Sequence, residues 1–328
     1  MKTYLILGGN GVFGVHAARY LLDNANPKKV ICVGRNPEKS EPFTLGINRD
    51  SRYEYHQIHV VFEQDRLTRL FDTEKPDVIV NFSALAYATS WDDSYRYYET
   101  NVVALAKMVE TLSTRDYLKR FIQIGTSELY GSTSKPASED APLNPTSPYA
   151  VSKLAGDLHL LTCWNVRKFP MNVLRPSNAY APGQLLYRVL PRAVLCGLTG
   201  RKLPLQGGGR AMKSYMHARD VGLAIHLIAE KAPPGEIYNC GPDEAISIHS
   251  LVELVAKELK IPLEKLIEMA PDRSGEDAIY WLNSDKIKRD LGWRISVPLD
   301  EGVGEMVAWG RQYLKDIERE PTNFVLRA

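Results

Sequence analysis

The chain opens on an apolar run, Tyr4-Leu5-Ile6-Leu7, which breaks into Gly8-Gly9-Asn10-Gly11-Val12-Phe13-Gly14 and then repeats Ala17, Ala18, Leu21 and Leu22 at helical spacing. A strand, a glycine turn and a helix in that order leave few folds open. Such a turn sets a helix N-terminus at the end of a strand, where the dipole favours negative charge and glycines let a pyrophosphate approach the amides. Gly8, Asn10, Gly11, Val12, Phe13 and Gly14 are therefore the candidate dinucleotide-binding residues. A glycine-rich turn between packed elements is the plainer alternative.

The next strand, Val30-Ile31-Cys32-Val33, ends at Gly34-Arg35-Asn36. An acid at this point usually holds the ribose 2′-hydroxyl of NAD, whereas an arginine suits a 2′-phosphate. With no acid and with Arg35 in place, NADP is expected in preference to NAD; an Arg35 that is only a solvated loop charge would leave the choice open.

The alternation continues with an extended piece around Tyr55 to Val61, a helix from Gln64 to Asp72 and the strand Val78 to Phe82. After Ser83-Ala84-Leu85-Ala86-Tyr87 comes a long helix carrying Val102, Leu105, Ala106, Val109 and Leu112, and then the strand Phe121 to Ile124 runs into Gly125-Thr126-Ser127-Glu128-Leu129-Tyr130-Gly131. This order predicts an α/β fold with a Rossmann-type, doubly wound parallel sheet. Ligands on such sheets bind beyond the carboxyl ends of the strands, where Gly8, Gly34, Ser83 and Thr126 would sit. Helices near Val189–Leu198, Asp220–Glu230 and Ile248–Lys260 follow without a linker-like break. The expected division is a cofactor-binding domain over 1–175 and a smaller substrate-binding lobe over 176–328, interleaved with the first.

The stretch Ser147-Pro148-Tyr149-Ala150-Val151-Ser152-Lys153 reads as a helix start. Four residues apart, Tyr149 and Lys153 share one helical face. Bringing a phenol from its reference pKa of ~10 to neutrality takes roughly 4 kcal/mol. The expectation is that the Lys153 ammonium, together with an oxidised nicotinamide ring, supplies it, so that Tyr149 serves as the base in an alcohol oxidation. A chance pair on an exposed helix is the alternative.

Other classes fit poorly. The 328 residues are 44% hydrophobic with a net charge of +2 and no long basic run, which argues against a nucleic-acid surface. Cys32, Cys163, Cys196 and Cys240 lie far apart, with no Cys-x-x-Cys, so neither a metal knuckle nor a disulfide framework is expected and a reducing cytoplasm fits. His56 and His59, three apart on an extended piece, would face opposite ways and so not share a metal. No stretch has the length of a membrane span, and the first apolar run is too short for a signal-peptide core.

The glycine motif, Thr126-Ser127-Glu128 and Tyr149-x-x-x-Lys153, in that order, resemble the extended short-chain dehydrogenase/reductase family that acts on nucleotide sugars. The segments Arg175 to Gln184, Leu203 to Gly209, Lys213 to Val221, Arg273 to Asp277 and Leu291-Gly292-Trp293 continue the resemblance to about Tyr313. The turn after the fifth strand is most similar to GDP-mannose 4,6-dehydratases, and the segments around Asn178 to Pro191 and Arg273 to dTDP-glucose 4,6-dehydratases.

The resemblance implies an NADP-dependent 4,6-dehydratase that oxidises C4, eliminates water across C5–C6 and returns hydride to C6. Thr126, Ser127, Glu128, Tyr149 and Lys153 would be catalytic. Ser83, Ala84, Leu85 and Pro176 would complete the cofactor site together with Arg35, Tyr149 and Lys153. Tyr87, Glu128, Asn178, Leu190, Lys202, Pro204, Gln206, Lys213 and Arg273 would hold a nucleoside-diphosphate hexose. It also implies a homodimer or higher homo-oligomer, paired through the helices near Asn101–Thr114 and Ser152–Val166. Departures from the pattern are Ser127, where dTDP-glucose enzymes have an acid; Tyr87 and Thr89, where relatives often have histidine and aspartate; and Val60-Val61-Phe62, where an aspartate commonly meets adenine. A nucleotide-sugar 4-epimerase, a UDP-glucuronate decarboxylase and a non-catalytic cofactor-binding regulator are the alternatives.

Overall fold

The computed structural model describes residues 1–86, 93–271 and 279–323, so Tyr87, Thr89 and Arg273 lie outside the described residues. Six strands in chain order, β1 (Thr3–Leu7), β2 (Lys29–Gly34), β3 (Tyr53–Gln57), β4 (Val78–Asn81), β5 (Arg120–Ile124) and β6 (Met171–Pro176), join a later one, Ile237–Cys240, in a single sheet. All pairings are parallel, and the order from one edge is Ile237–Cys240, β6, β5, β4, β1, β2, β3. The strand order reverses between β1 and β4, which makes the crevice above Leu7 and Asn81 the switch point where such sheets take ligands.

β1 is buried at every position because helices cover both faces of the sheet. Tyr4 and Ile6 join Ala17 and Leu21 of the helix Val12–Asn24 and Val221, Ile225 and Ile228 of the helix Ala218–Lys231. The alternate residues Leu5 and Leu7 join Leu67 and Phe71 of Gln64–Glu74, with Leu105 and Val109 of Leu105–Leu112. Each such side chain contributes roughly 1.5–3 kcal/mol by leaving water. The two helices on the first face meet closely: a Cβ on Gly222 would fall 2.6 Å from Cβ of Tyr20.

A third core lies beside the sheet, where Leu190 and Val194 of the helix Val189–Thr199 meet Leu251 and Val255 of Ile248–Leu259 and Met306 and Val307 of Leu299–Gln312. The chain visits this lobe after β6, returns to the sheet for Ala218–Lys231 and Ile237–Cys240, and then goes back to the lobe.

One local expectation needs correction. The extended piece stops at Gln57, because Glu63 Oε2 accepts from the amide of His59 at 2.7 Å and bends the chain into the next helix. His56 and His59 therefore do not share a strand. The long helix after Tyr87 needs refinement only: it runs unbroken over 95–112, with a π-helical turn, Glu99–Ala104, between Tyr95–Tyr98 and Leu105–Leu112. Among the described residues, no helix is long and apolar enough to cross a membrane, and the four cysteines are unpaired thiols.

Candidate active site

The glycine turn is built around missing side chains. Gly8 has φ +76°, and a Cβ there would lie 2.9 Å from the carbonyl carbon of Phe82 and the nitrogen of Ser83. A Cβ on Gly14 would fall 2.5 Å from the Gly8 carbonyl oxygen. Gly11, the N-cap of Val12–Asn24, has no side chain with which to satisfy the first amides. The result is a bare backbone cradle of the kind a pyrophosphate occupies, with Val12 and Phe13 half-buried at its helical side. Asn10 serves this cradle from behind: its Nδ2 donates to the Pro37 carbonyl at 2.8 Å and its Oδ1 accepts from the Lys39 amide at 3.2 Å. Its side chain thus shapes the loop after β2. Arg35 is exposed at the start of that loop, and the nearby acid Glu38 accepts from the Tyr53 hydroxyl at 2.8 Å.

The loop after β4 is fastened from below. Asn81 Nδ2 donates to Gln123 Oε1 at 2.8 Å, while its Oδ1 accepts from the Ser83 amide at 3.1 Å and from the Ser83 hydroxyl. Ala84 follows, half-buried, and Leu85 is held at both backbone atoms by Asn101, which accepts from its amide at 3.1 Å and donates to its carbonyl at 3.2 Å. Asn101 Nδ2 also donates to Ser152 Oγ at 2.9 Å, and that hydroxyl donates to the Tyr149 carbonyl at 2.7 Å. Asn101 lies in the π-helical turn, an irregularity often found where a side chain must be aimed.

The helix Pro148–Arg167 starts as its sequence dictates: Ser147 Oγ accepts from the Ala150 amide at 3.1 Å, and Pro148 occupies the first turn, where no amide is needed. Tyr149 and Lys153 are both buried, and the ring of Tyr97 packs edge-on against Tyr149 at 6.3 Å. Opposite stands the turn after β5, where Thr126 caps a short 3-10 helix, Ser127–Tyr130, by accepting from the Glu128 amide at 3.3 Å. Thr126 hydrogen-bonds the Tyr149 side chain, and Glu128 is near enough for its charge to act on the phenol. Thr126, Glu128, Tyr149 and Lys153 thus form one group, with Ser127 buried beside them.

The chain's own groups act on the phenol in opposite directions. Burial, and after it the charge of Glu128, push the Tyr149 phenol well above its ordinary value, while the Thr126 hydrogen bond and Arg188 pull it down. Lys153 is fastened at the end of a neighbouring strand. Its Nζ donates to the Ile124 carbonyl at 2.6 Å, at the end of β5, and burial lowers it to about 8 with Asp157 opposing. Closeness along the helix does not aim the ammonium at the phenol when a strand-end carbonyl captures it first.

With this geometry in view, the chain matches the GDP-mannose 4,6 dehydratase family over residues 5–306. The chain belongs to that family. It is 28% identical over 319 residues to the human dTDP-D-glucose 4,6-dehydratase, covering 95% of this chain and 90% of that one. The crystal structure of the dTDP-glucose 4,6-dehydratase of Streptomyces venezuelae, with NAD bound, aligns with a TM-score of 0.86 at 28% identity over 94% of this chain and 97% of that one. The UDP-glucose 4-epimerase of Thermotoga maritima, with UDP-glucose, gives 0.85 at 25% identity over 95% and 99%.

The remaining residues expected from this family's pattern are spread along the lobe's edge. Pro176 ends β6, and Asn178 begins the short strand Asn178–Tyr180, paired with Tyr215–His217. Asn178 Nδ2, Ser177 Oγ and Ser214 Oγ are all buried without a hydrogen-bond partner. Buried polar atoms of this kind are ordinarily matched by ordered water or by a bound polar group. Pro204 and Gln206 alternate with the buried Leu203 and Leu205 on the strand Leu203–Gln206, so they share its outer face, with the exposed Lys202 just before it. Lys213 lies on Met212–Lys213, between Ile246–Ser247 and Ile279–Tyr280. Leu190 is different: it is 1% exposed within the lobe core, so its side chain is occupied by packing and only its backbone is left to meet a substrate.

Asp157 and Arg175, which sequence reasoning did not single out, form a buried ion pair beside the group around Tyr149 and Lys153. Both are buried, Arg175 Nε lies 3.1 Å from Asp157 Oδ2, and Asp157 is four residues beyond Lys153 on the same helix. That spacing was the available signal. Because the Lys153 ammonium is charged below about pH 8 and neutral above it, turnover is expected to fall as pH rises through 8. In Lys153→Arg the guanidinium stays charged, and the alkaline limb of the pH–rate profile should disappear from whatever activity is left. A limb retained unchanged in Lys153→Arg would assign it to another group.

Proposed function

We propose that this chain is a nucleotide-sugar 4,6-dehydratase whose reaction runs on Thr126, Glu128, Tyr149 and Lys153. The observation that carries the reading is Glu128, a carboxylate held on the turn after β5 and coupled electrostatically to Tyr149. Oxidation at C4 alone needs Tyr149 and Lys153; a second base beside them serves a further proton transfer.

When bound, the nicotinamide ring accepts hydride from C4 and returns it at C6. Tyr149 takes the O4 proton while the Thr126 hydroxyl hydrogen-bonds that oxygen. The C4 ketone acidifies the C5 hydrogen, which Glu128 removes as a proton. The same carboxyl then delivers that proton to O6, so that water leaves and a C5–C6 double bond remains. Ser127, an alcohol where dTDP-glucose enzymes carry an acid, leaves this second duty to Glu128. Hydride at C6 and a proton from solvent at C5 complete a 4-keto-6-deoxy sugar.

Incubating the purified protein with GDP-, dTDP-, UDP- and CDP-hexoses and UDP-glucuronate in deuterated water should give loss of one water from one hexose, with deuterium at C5. Glu128→Gln should slow that loss by about 10²–10⁴-fold while leaving cofactor binding intact. An isomer of unchanged mass would replace the dehydratase by a 4-epimerase, and loss of carbon dioxide would replace it by a decarboxylase.

For the cofactor, Arg35 next to Gly34, with Glu38 engaged by Tyr53, supports NADP, although the Streptomyces relative carries NAD. Cofactor released from the denatured wild-type protein should then be NADP, and Arg35→Asp should reverse the preference by at least about tenfold, the effect of ~1.4 kcal/mol. Release of NAD alone would overturn this assignment.

A homodimer is supported by apolar side chains left exposed on the two candidate helices, among them Leu158 at 52% and Val166 at 76%. Light scattering should give twice the chain mass of 36.9 kDa; a single-chain mass would remove the pairing.

A further inference from the structure

The buried ion pair beneath the catalytic group has no part in the reaction as described above. Arg175, on β6, gives its Nε to Asp157 Oδ2 at 3.1 Å and its NH1 to the Tyr130 hydroxyl at 2.8 Å. Tyr130 donates in turn to Asn239 Oδ1 at 2.9 Å, and the Asn239 amide donates to Glu139 Oε1 at 2.7 Å. Gly125 makes room for this arrangement, since a Cβ there would stand 2.8 Å from Arg175 Cγ. Arg175 therefore packs against Gly125, the residue before Thr126, and is held at two of its guanidinium nitrogens.

Asp157 is fully buried, yet only one of its carboxylate oxygens is engaged; Oδ1 has no hydrogen-bond partner. Leaving a carboxylate lone pair unsatisfied in an interior is costly, so a salt bridge whose only purpose was cohesion would be poorly made. One turn N-terminal on the same helix face lies Lys153, itself 3% exposed, with a single hydrogen bond, to Ile124. A buried ammonium with no counter-charge would lose its proton.

We propose that Asp157, fixed by Arg175, is a positioning residue that keeps Lys153 protonated and on the Ile124 carbonyl, ready for the Tyr149 reaction. Arg175 acts as the clamp that fixes where the negative charge points. The carboxylate lies one helical turn from Lys153, and its charge favours the ammonium. The inference rests on Tyr149 and Lys153 being the reacting pair, which the dehydratase reading shares with the epimerase and decarboxylase alternatives. Other groups around the pair are Thr126, Glu128 and Tyr130 from the turn after β5, Arg188 from the start of Val189–Thr199, and Glu139 beyond Tyr130.

The test is a direct titration of Lys153 by NMR in full-length protein labelled with ¹³C at the lysine ε-carbon, the signal being assigned with Lys153→Arg. In the wild type the midpoint should lie at about 8. In Asp157→Asn it should move down by about one pH unit or more, with the alkaline limb of the pH–rate profile following it, and Asp157→Glu should restore both. Asp157→Asn/Arg175→Gln covers the chance that an unpaired guanidinium unfolds the single variant; it removes the pair as a unit and should show the same downward shift. If both Asn variants keep the wild-type midpoint and lose only thermal stability, the pair is structural and the proposal fails. The titration stands whether or not a substrate is found, so it is independent of the dehydratase assignment.

Discussion

A parallel sheet covered on both faces offers a ligand no open surface along its length. That constraint governs this molecule. Leu5, Ile6 and Leu7 are fully buried, so the first residues free to meet a ligand are those that follow the strand ends: Gly8 after β1, Ser83 after β4, Thr126 after β5 and Ser177 after β6. The active site is thus assembled from turns that the sheet brings to one rim, and their precision comes from strand register.

Turns placed in this way still need fastening, and the protein does it with side-chain amides. Asn81 holds Ser83, Asn101 holds Leu85 and reaches Ser152, and Asn239 anchors Tyr130. An amide both donates and accepts, so one residue can lock two backbones without introducing a charge. Lys153, Asp157 and Arg175 bring formal charge into the same interior, where each depends on its neighbours to remain ionised.

The sequence made legible what depends on local spacing. The Gly8–Gly14 turn, the Ser147 cap with Pro148 behind it, and the Tyr149–Lys153 pair are all short-range patterns whose geometry follows from the helix itself. Contacts across elements were less accessible. Asn101 reads as one polar residue in an apolar helix until the π-helical turn aims it at Leu85 and Ser152. Arg175 is eighteen residues from its carboxylate partner, and nothing local couples them. Leu190 shows the converse: its side chain belongs to the lobe core, so a ligand contact there would be made by its backbone, which spacing alone does not reveal. The direction of Lys153 could not be read either, because it depends on where β5 ends.

The path of the chain bears on how the protein is made. The strand Ile237–Cys240 closes one edge of the sheet, and the helix Ala218–Lys231 covers part of the first face, but both follow the lobe segments that come after β6. During synthesis, residues 1–176 emerge with β6 as a bare edge and Tyr4 and Ile6 lacking part of their cover. An open edge strand invites pairing with another chain, and partly covered apolar surface favours aggregation. The nascent chain therefore stays vulnerable until Ile237–Cys240 has closed the edge and Ile287, Leu291 and Trp293 have joined the core of the first face.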